Sequence, residues 1–214
     1  MGFRLHVIRH AEGTHNPNHD TTILDPPLTA RGIEQATLLN RNFPFKNEVG
    51  LVIASPLRRT IQTALLGMRD TIDTGYYTDG TGGARDGAAF LLQADIQAHS
   101  DRRCDTGSTA SILRSEFPHL PWETLGLDPL FPAKDGLYAP DMESLRKRGL
   151  KIQQFLEERF KELEHTGRSD IVVVLHGGFI RFLGLGDELT VDQAGWKSFI
   201  VTFDKDHRMN GVPL

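Results

Sequence analysis

At 214 residues, with 39% hydrophobic and 24% charged residues, the chain is long enough to bury a substantial core, and residues 1–214 are read as one domain. A net charge of −4 argues against nucleic acid as a partner, and no apolar run reaches the length of a membrane span. The single cysteine, Cys104, excludes an internal disulfide and, with no apolar leader before the first predicted strand, points to a reducing, cytoplasmic setting.

Phe3, Leu5, Val7 and Ile8 form a short apolar run with β-branched members, which predicts a strand near 3–9. It breaks into a polar turn carrying Arg9, His10, Glu12, Thr14, His15 and Asn16. Arginine presents a fork of donors that matches phosphate or carboxylate oxygens, and histidine serves as nucleophile or acid–base. In parallel α/β sheets, ligands gather at the carboxyl ends of strands. Pro17, Asn18, Asp25, Pro26 and Pro27 predict a loop, which denies His10, His15 and His19 a shared helix face, so no metal and no cofactor are expected.

Thr29 is the expected N-cap of a first helix, whose period runs through Ile33, Ala36 and Phe43 until Pro44 ends it. A strand at 51–54 follows. Ser55-Pro56 then predicts the cap and first turn of a second helix that buries Leu57, Ile61, Ala64, Leu65 and Met68. Arg58 and Arg59 lie on different faces of it. Residues 70–90 are rich in glycine and predict a long surface loop, either a lid or an insertion. Prolines between Glu116 and Leu137 predict a crossover loop. Asp141 should cap the longest helix, with Leu145, Ile152, Phe155, Leu156, Phe160 and Leu163 as its apolar stripe and Gly167 at its end. Ile171–Leu175 is a continuous apolar run, as in a strand buried on both faces, and it delivers His176-Gly177-Gly178. A last strand is expected at 198–203. The predicted fold is an α/β three-layer sandwich with a mostly parallel central sheet flanked by helices.

Three stretches at strand ends, in this order, resemble the histidine phosphatase superfamily, also called phosphoglycerate mutase-like: Arg9-His10-Ala11 with Asn16, Ser55–Thr60 with Thr63-Ala64, and His176–Gly178. Leu92–Ser108, which closes in Cys104-Asp105-Thr106-Gly107-Ser108, is similar to the family's fungal small-phosphatase branch. The resemblance implies a phosphomonoesterase of a small phosphorylated metabolite, with no nucleic-acid or membrane partner. His10 would attack phosphorus to form a phosphohistidine. Arg9, Arg59 and a protonated His176 would hold the non-bridging oxygens, with Asn16, Glu12 and Gly177 contacting substrate. Arg59, directly before Thr60, takes the ligand position, which leaves Arg58 as a solvated surface charge. Two departures stand out: Ala11 replaces the motif glycine, and the family's proton-donating glutamate falls on Ala98. Asp95, Glu12, His99, Asp101 and Asp105 are candidate substitutes; if none replaces the glutamate, turnover of alkyl phosphates should be weak and partly rescued by Ala98→Glu. The alternatives are other chemistry on a small polar or anionic metabolite, or a non-catalytic anion-binding protein.

Overall fold

The computed structural model describes residues 2–214. Six strands form one sheet: β1 (Phe3–Arg9), β2 (Val49–Ala54), β3 (Ala89–Leu92), β4 (Asp170–Leu175), β5 (Trp196–Phe203) and β6 (Met209–Pro213), in the order β3-β2-β4-β1-β5-β6. The first four strands in that order are parallel, and β5 and β6 add an antiparallel edge. Every residue of β4 is buried, as its uninterrupted apolar run predicts for a central parallel strand.

Strand alternation sorts the core into two layers. Ile8, Val52, Ala54, Val172 and Val174 face helices α1 (Ala30–Asn42) and α2 (Arg58–Gly67). Leu5, Val7, Leu51, Ile53, Ile171, Val173 and Leu175 face the long helix of Met142–Leu163, which contributes Leu145, Ile152, Leu156 and Phe160. A short helix, α3 (Ala110–Glu116), precedes this long one, here α4, and α5 (Gly177–Ile180) follows β4. The result is a helix–sheet–helix sandwich. Among the described residues, no helix is long and apolar enough to cross a membrane.

The sheet register aligns three chain exits. Arg9 pairs with Leu175 and Ala54 with Val174. Beyond them, His10 N–H donates to the Leu175 carbonyl at 2.9 Å and Ser55 N–H to the Val174 carbonyl at 3.0 Å. His10, Ser55 and His176 therefore leave the sheet side by side.

Thr29 caps α1 as expected, its hydroxyl accepting from Gly32 N–H at 2.9 Å, and Asp141 caps α4. The cap of α2 differs from the sequence expectation. The helix starts at Arg58, and Ser55 caps nothing. Asp25, distant in sequence and fully buried, supplies the cap: its Oδ1 accepts from Arg58 N–H at 3.0 Å and its Oδ2 from Ser108 N–H at 2.7 Å. A carboxylate suits the positive end of the helix dipole and leaves the Ser55 hydroxyl free for other use. Arg58 is not a freely solvated charge either, because its Nε donates to Glu116 at 2.6 Å.

The glycine-rich stretch is no lid. It runs into the N-terminal end of β3, at the sheet edge opposite His10, and Asp73 ties it down by accepting from Gly75 and Gly87 N–H. β3 and β6 have no counterpart among the predicted strands. β3 has only four residues, too few to show a period, and β6 holds a glycine and a proline, which an edge strand tolerates.

Removing the Asp25 carboxylate should leave two backbone donors of α2 and the Ser108 turn without partners. Asp25→Ala is expected to lower the unfolding free energy in urea by about 2–3 kcal/mol, with Asp25→Asn losing less. Equal stability of Asp25→Ala and wild type would disprove this capping role.

Candidate active site

Arg59 is the centre of the cluster at the carboxyl edge. Its position in the first turn of α2, fixed by Asp25, aims the guanidinium under the strand exits, where it is only 1% exposed. Its Nε donates to His10 Nε2 at 3.3 Å, one terminal nitrogen donates to the Cys104 carbonyl at 2.6 Å, and the other meets both Asp105 Oδ1 and His176 Nδ1 at 3.1 Å. The Cys104–Ser108 segment thus serves as the far wall of the site. Phe131 packs so closely on Gly107 that a Cβ there would lie 2.1 Å from its ring, which binds the 128–138 loop to the same wall.

The two histidines are 4% and 3% exposed, with ring centroids 5.2 Å apart. His10 Nδ1 lies 2.7 Å from the Ala11 carbonyl. The hydrogen-bond network therefore assigns the proton to Nδ1 and leaves a lone pair on Nε2. His176 Nδ1 accepts from Arg59, so its proton sits on Nε2, 2.9 Å from the Ser55 hydroxyl. Burial first, and then the Arg59 charge, hold both rings well below the ordinary histidine pKa. His176 is thus neutral here, since an imidazolium would lose its acceptor role toward Arg59 and face that guanidinium directly.

Arg9 sits beside Gly177, where a Cβ would be 3.2 Å from its Nε. One terminal nitrogen of Arg9 donates to the Val191 carbonyl at 3.4 Å, while its buried Nε has no protein partner. Burial lowers the Arg9 pKa, and the Asp192 charge partly restores it. Asn16 shapes the turn, its Oδ1 accepting from Gly13 N–H at 2.8 Å and its Nδ2 donating to His15 Nε2 at 3.1 Å. The His15 ring lies 6.1 Å from His10, and burial brings its pKa down to about 4.

Two predicted site residues are not brought to this cluster. Glu12 turns its carboxylate to the start of α1, accepting from Thr29 Oγ1 at 2.8 Å and facing Arg31 at 3.6 Å. Asp95 points to α4, with Lys151 at 3.2 Å and Arg148 nearby. Ala98 is fully buried in the apolar cluster on the α1–α2 face. A glutamate introduced there would bury a carboxylate among apolar side chains, so Ala98→Glu is expected to cost stability before it restores any acid.

The sequence pattern missed four contributors. Ser55 reads as a helix cap, Asp25 as a loop residue and His15 as a poor metal ligand. Lys134, in the proline-rich crossover, carries no motif at all, yet its charge is felt at His176 and its Nζ donates to the Ala98 carbonyl at 3.0 Å. Among the described residues there is no group of three or more His, Cys, Asp or Glu placed to hold a metal ion.

The neutral histidines set a pH dependence. His10, His15 and His176 bind protons more weakly when folded than when unfolded. Stability is therefore fully present above pH 6.5 and is lost as pH falls below it, by about 1.4 kcal/mol per pH unit for each proton taken up on unfolding. Thermal melts from pH 7.5 to 5 should show this decline, less steeply in His15→Gln. A flat profile would mean that the rings titrate normally.

The sequence model of the histidine phosphatase superfamily (branch 1) matches residues 5–72. A Schizosaccharomyces pombe protein named as a probable phosphatase is 23% identical over 180 residues, spanning 83% of this chain and 75% of its own. A phosphoglycerate mutase-like protein of Arabidopsis thaliana is 28% identical over 209 residues, spanning 84% and 72%. Among solved structures, a mycobacterial glucosyl-3-phosphoglycerate phosphatase complexed with VO3 superposes with a TM-score of 0.57 at 18% identity, covering 99% of this chain and 97% of that one. A mutant phosphoserine phosphatase from Entamoeba histolytica in complex with phosphoserine gives 0.53 at 20% identity, covering 98% and 94%. The sequence match spans the strand, turn and helix that carry Arg9, His10 and Arg59, and the fold match extends over the rest of the chain: over residues 5–72 the protein is similar to the histidine phosphatase superfamily, and its whole fold is that of the solved phosphatase structures.

Proposed function

We propose that the protein is a phosphomonoesterase of a small phosphorylated metabolite, working through a phosphohistidine on His10. The observation that carries this reading is the His10 tautomer. With Nδ1–H held by the Ala11 carbonyl, the free lone pair is on Nε2, on the side where Arg59 waits. A nucleophile needs that lone pair, and the transferring phosphoryl group needs fixed positive charge beside it. Arg59 supplies such charge from a buried position, and Arg9 offers an unpartnered Nε. An arriving phosphate dianion takes over the Arg59 donor now spent on His10 Nε2. It also favours a proton on His176, which then adds a third cationic contact. Asn16 and Gly177 act at one remove, by holding the His15 turn and by making room for Arg9. Relatives and structural neighbours named as phosphatases support the same reading. The positive charge comes from side chains, so a chelator is expected to leave turnover unchanged. The single, buried Cys104 suits a cytoplasmic protein.

p-Nitrophenyl phosphate should be hydrolysed by the wild type. His10→Ala should abolish turnover, and Arg59→Met should reduce kcat by about 10²–10³. Phosphate or vanadate at millimolar concentration should raise the melting temperature by mass action. A folded wild type that shows neither turnover nor a thermal shift would refute the proposal.

A further inference from the structure

An alkyl phosphate cannot leave as an alkoxide at neutral pH; a proton must reach the ester oxygen as the P–O bond breaks. The carboxylates around His10 are committed elsewhere. Glu12 is held at the start of α1, and Asp95 faces α4. Asp105 accepts from Arg59 with one oxygen and from the Ser100 hydroxyl, at 2.7 Å, with the other.

Lys134 is the exception in this neighbourhood. Its ammonium donates to the Ala98 carbonyl and forms no ion pair among the described residues, which leaves N–H groups uncommitted. Its loop is fixed by Phe131 packed on Gly107 and by the Tyr138 hydroxyl, which donates to Asp128 at 2.8 Å. Next to Ala98, whose carbonyl accepts from the ammonium, the His99 ring lies against Gly178, two residues past His176, and the Lys134 charge is among those that lower the His176 pKa. The charged and titratable groups facing Lys134 are Arg148 of α4, Arg59 of α2, Asp101, His99 and Asp105 of the facing wall, and His176 after β4.

We propose that Lys134 is the general acid–base of the phosphatase reaction, an assignment that rests on the phosphatase reading above. The His10 Nε2 lone pair forms the N–P bond while the P–O ester bond breaks. The electron pair of that bond stays on the ester oxygen, which takes a proton from Lys134 Nζ and leaves as the alcohol. The neutral amine then takes a proton from water as the water oxygen attacks the phosphohistidine. The N–P pair returns to Nε2, phosphate departs and the ammonium is restored. The titration range of Lys134 suits both halves: burial, reinforced by Arg148 and Arg59 against the pull of Asp105 and Asp101, brings it down to about 7.

The test compares kcat/KM for p-nitrophenyl phosphate, whose leaving group needs no proton, with that for β-glycerophosphate, whose leaving group does. In Lys134→Met, kcat/KM should fall about 10²–10³-fold for the alkyl ester and less than about tenfold for the aryl ester. The basic limb near pH 7 in the wild-type alkyl profile should disappear. Lys134→Arg keeps the positive charge but releases no proton near neutrality, so it should show the same selective loss. With the aryl ester, both variants should release a burst of p-nitrophenol and then turn over slowly, because the water-attack step lacks its base. Alkyl turnover restored by Lys134→Arg would make Lys134 a binding cation and overturn the proposal. Equal losses on both esters in kcat/KM, or a wild type that cleaves aryl but not alkyl esters, would overturn it too. A wild type inactive on both esters overturns the phosphatase reading itself, and this assignment with it.

Discussion

A guanidinium cannot be buried unless its charge and its donors are answered, and most of this site follows from answering them for Arg59. One helix turn brings it beneath the sheet edge, and each nitrogen is then met from elsewhere in the chain: His10 after β1, His176 after β4, and Cys104 and Asp105 from the wall segment. The same contacts set the state of the histidines. Each presents a lone pair to Arg59, so each stays neutral and keeps its proton on the opposite nitrogen. Charge burial, tautomer choice and convergence of the chain are a single constraint. Hydrophobic packing raises the sheet that carries the exits, whereas polar pairing around Arg59 decides which atoms point inward.

Asp25 extends that constraint to the backbone. By accepting from Arg58 and Ser108 it fixes the distance between the start of α2 and the wall segment, the two elements that grip Arg59 from opposite sides. It also explains why Ser55 can reach His176. Because the buried carboxylate receives the first free N–H of α2, the Ser55 hydroxyl is turned to the His176 ring and accepts from its Nε2–H.

Much of the fold was legible in the sequence because its central strands are long, apolar and adjacent to punctuating residues. The buried run Ile171–Leu175 and the Thr29 and Asp141 caps are local signals, and they point where the chain goes. The predicted gathering of Arg9, His10, Arg59 and His176 rests on motif spacing, and the register of β1, β2 and β4 supplies its geometry. What was not legible is nonlocal. Nothing near Ser55-Pro56 says that a carboxylate 30 residues earlier will take over the cap. Nothing near Glu12 says that Thr29 will claim its side chain. The neutral state of His176 in the free site was equally out of reach, because it depends on how deeply Arg59 is buried, and burial belongs to the tertiary structure.

The low proton occupancy of the histidine pair would make the proposed oxyanion capture a proton-linked event. Burial against Arg59 holds His10 and His176 uncharged, and under the proposed reaction a phosphate dianion would reverse the balance at His176. Ligand entry would then draw a proton from solvent, so that the heat of binding would depend on the ionisation enthalpy of the buffer and the affinity for free phosphate would weaken as pH rises. Such a pocket would give up inorganic phosphate more readily in an alkaline medium than in an acidic one, a bias set by the burial of one arginine.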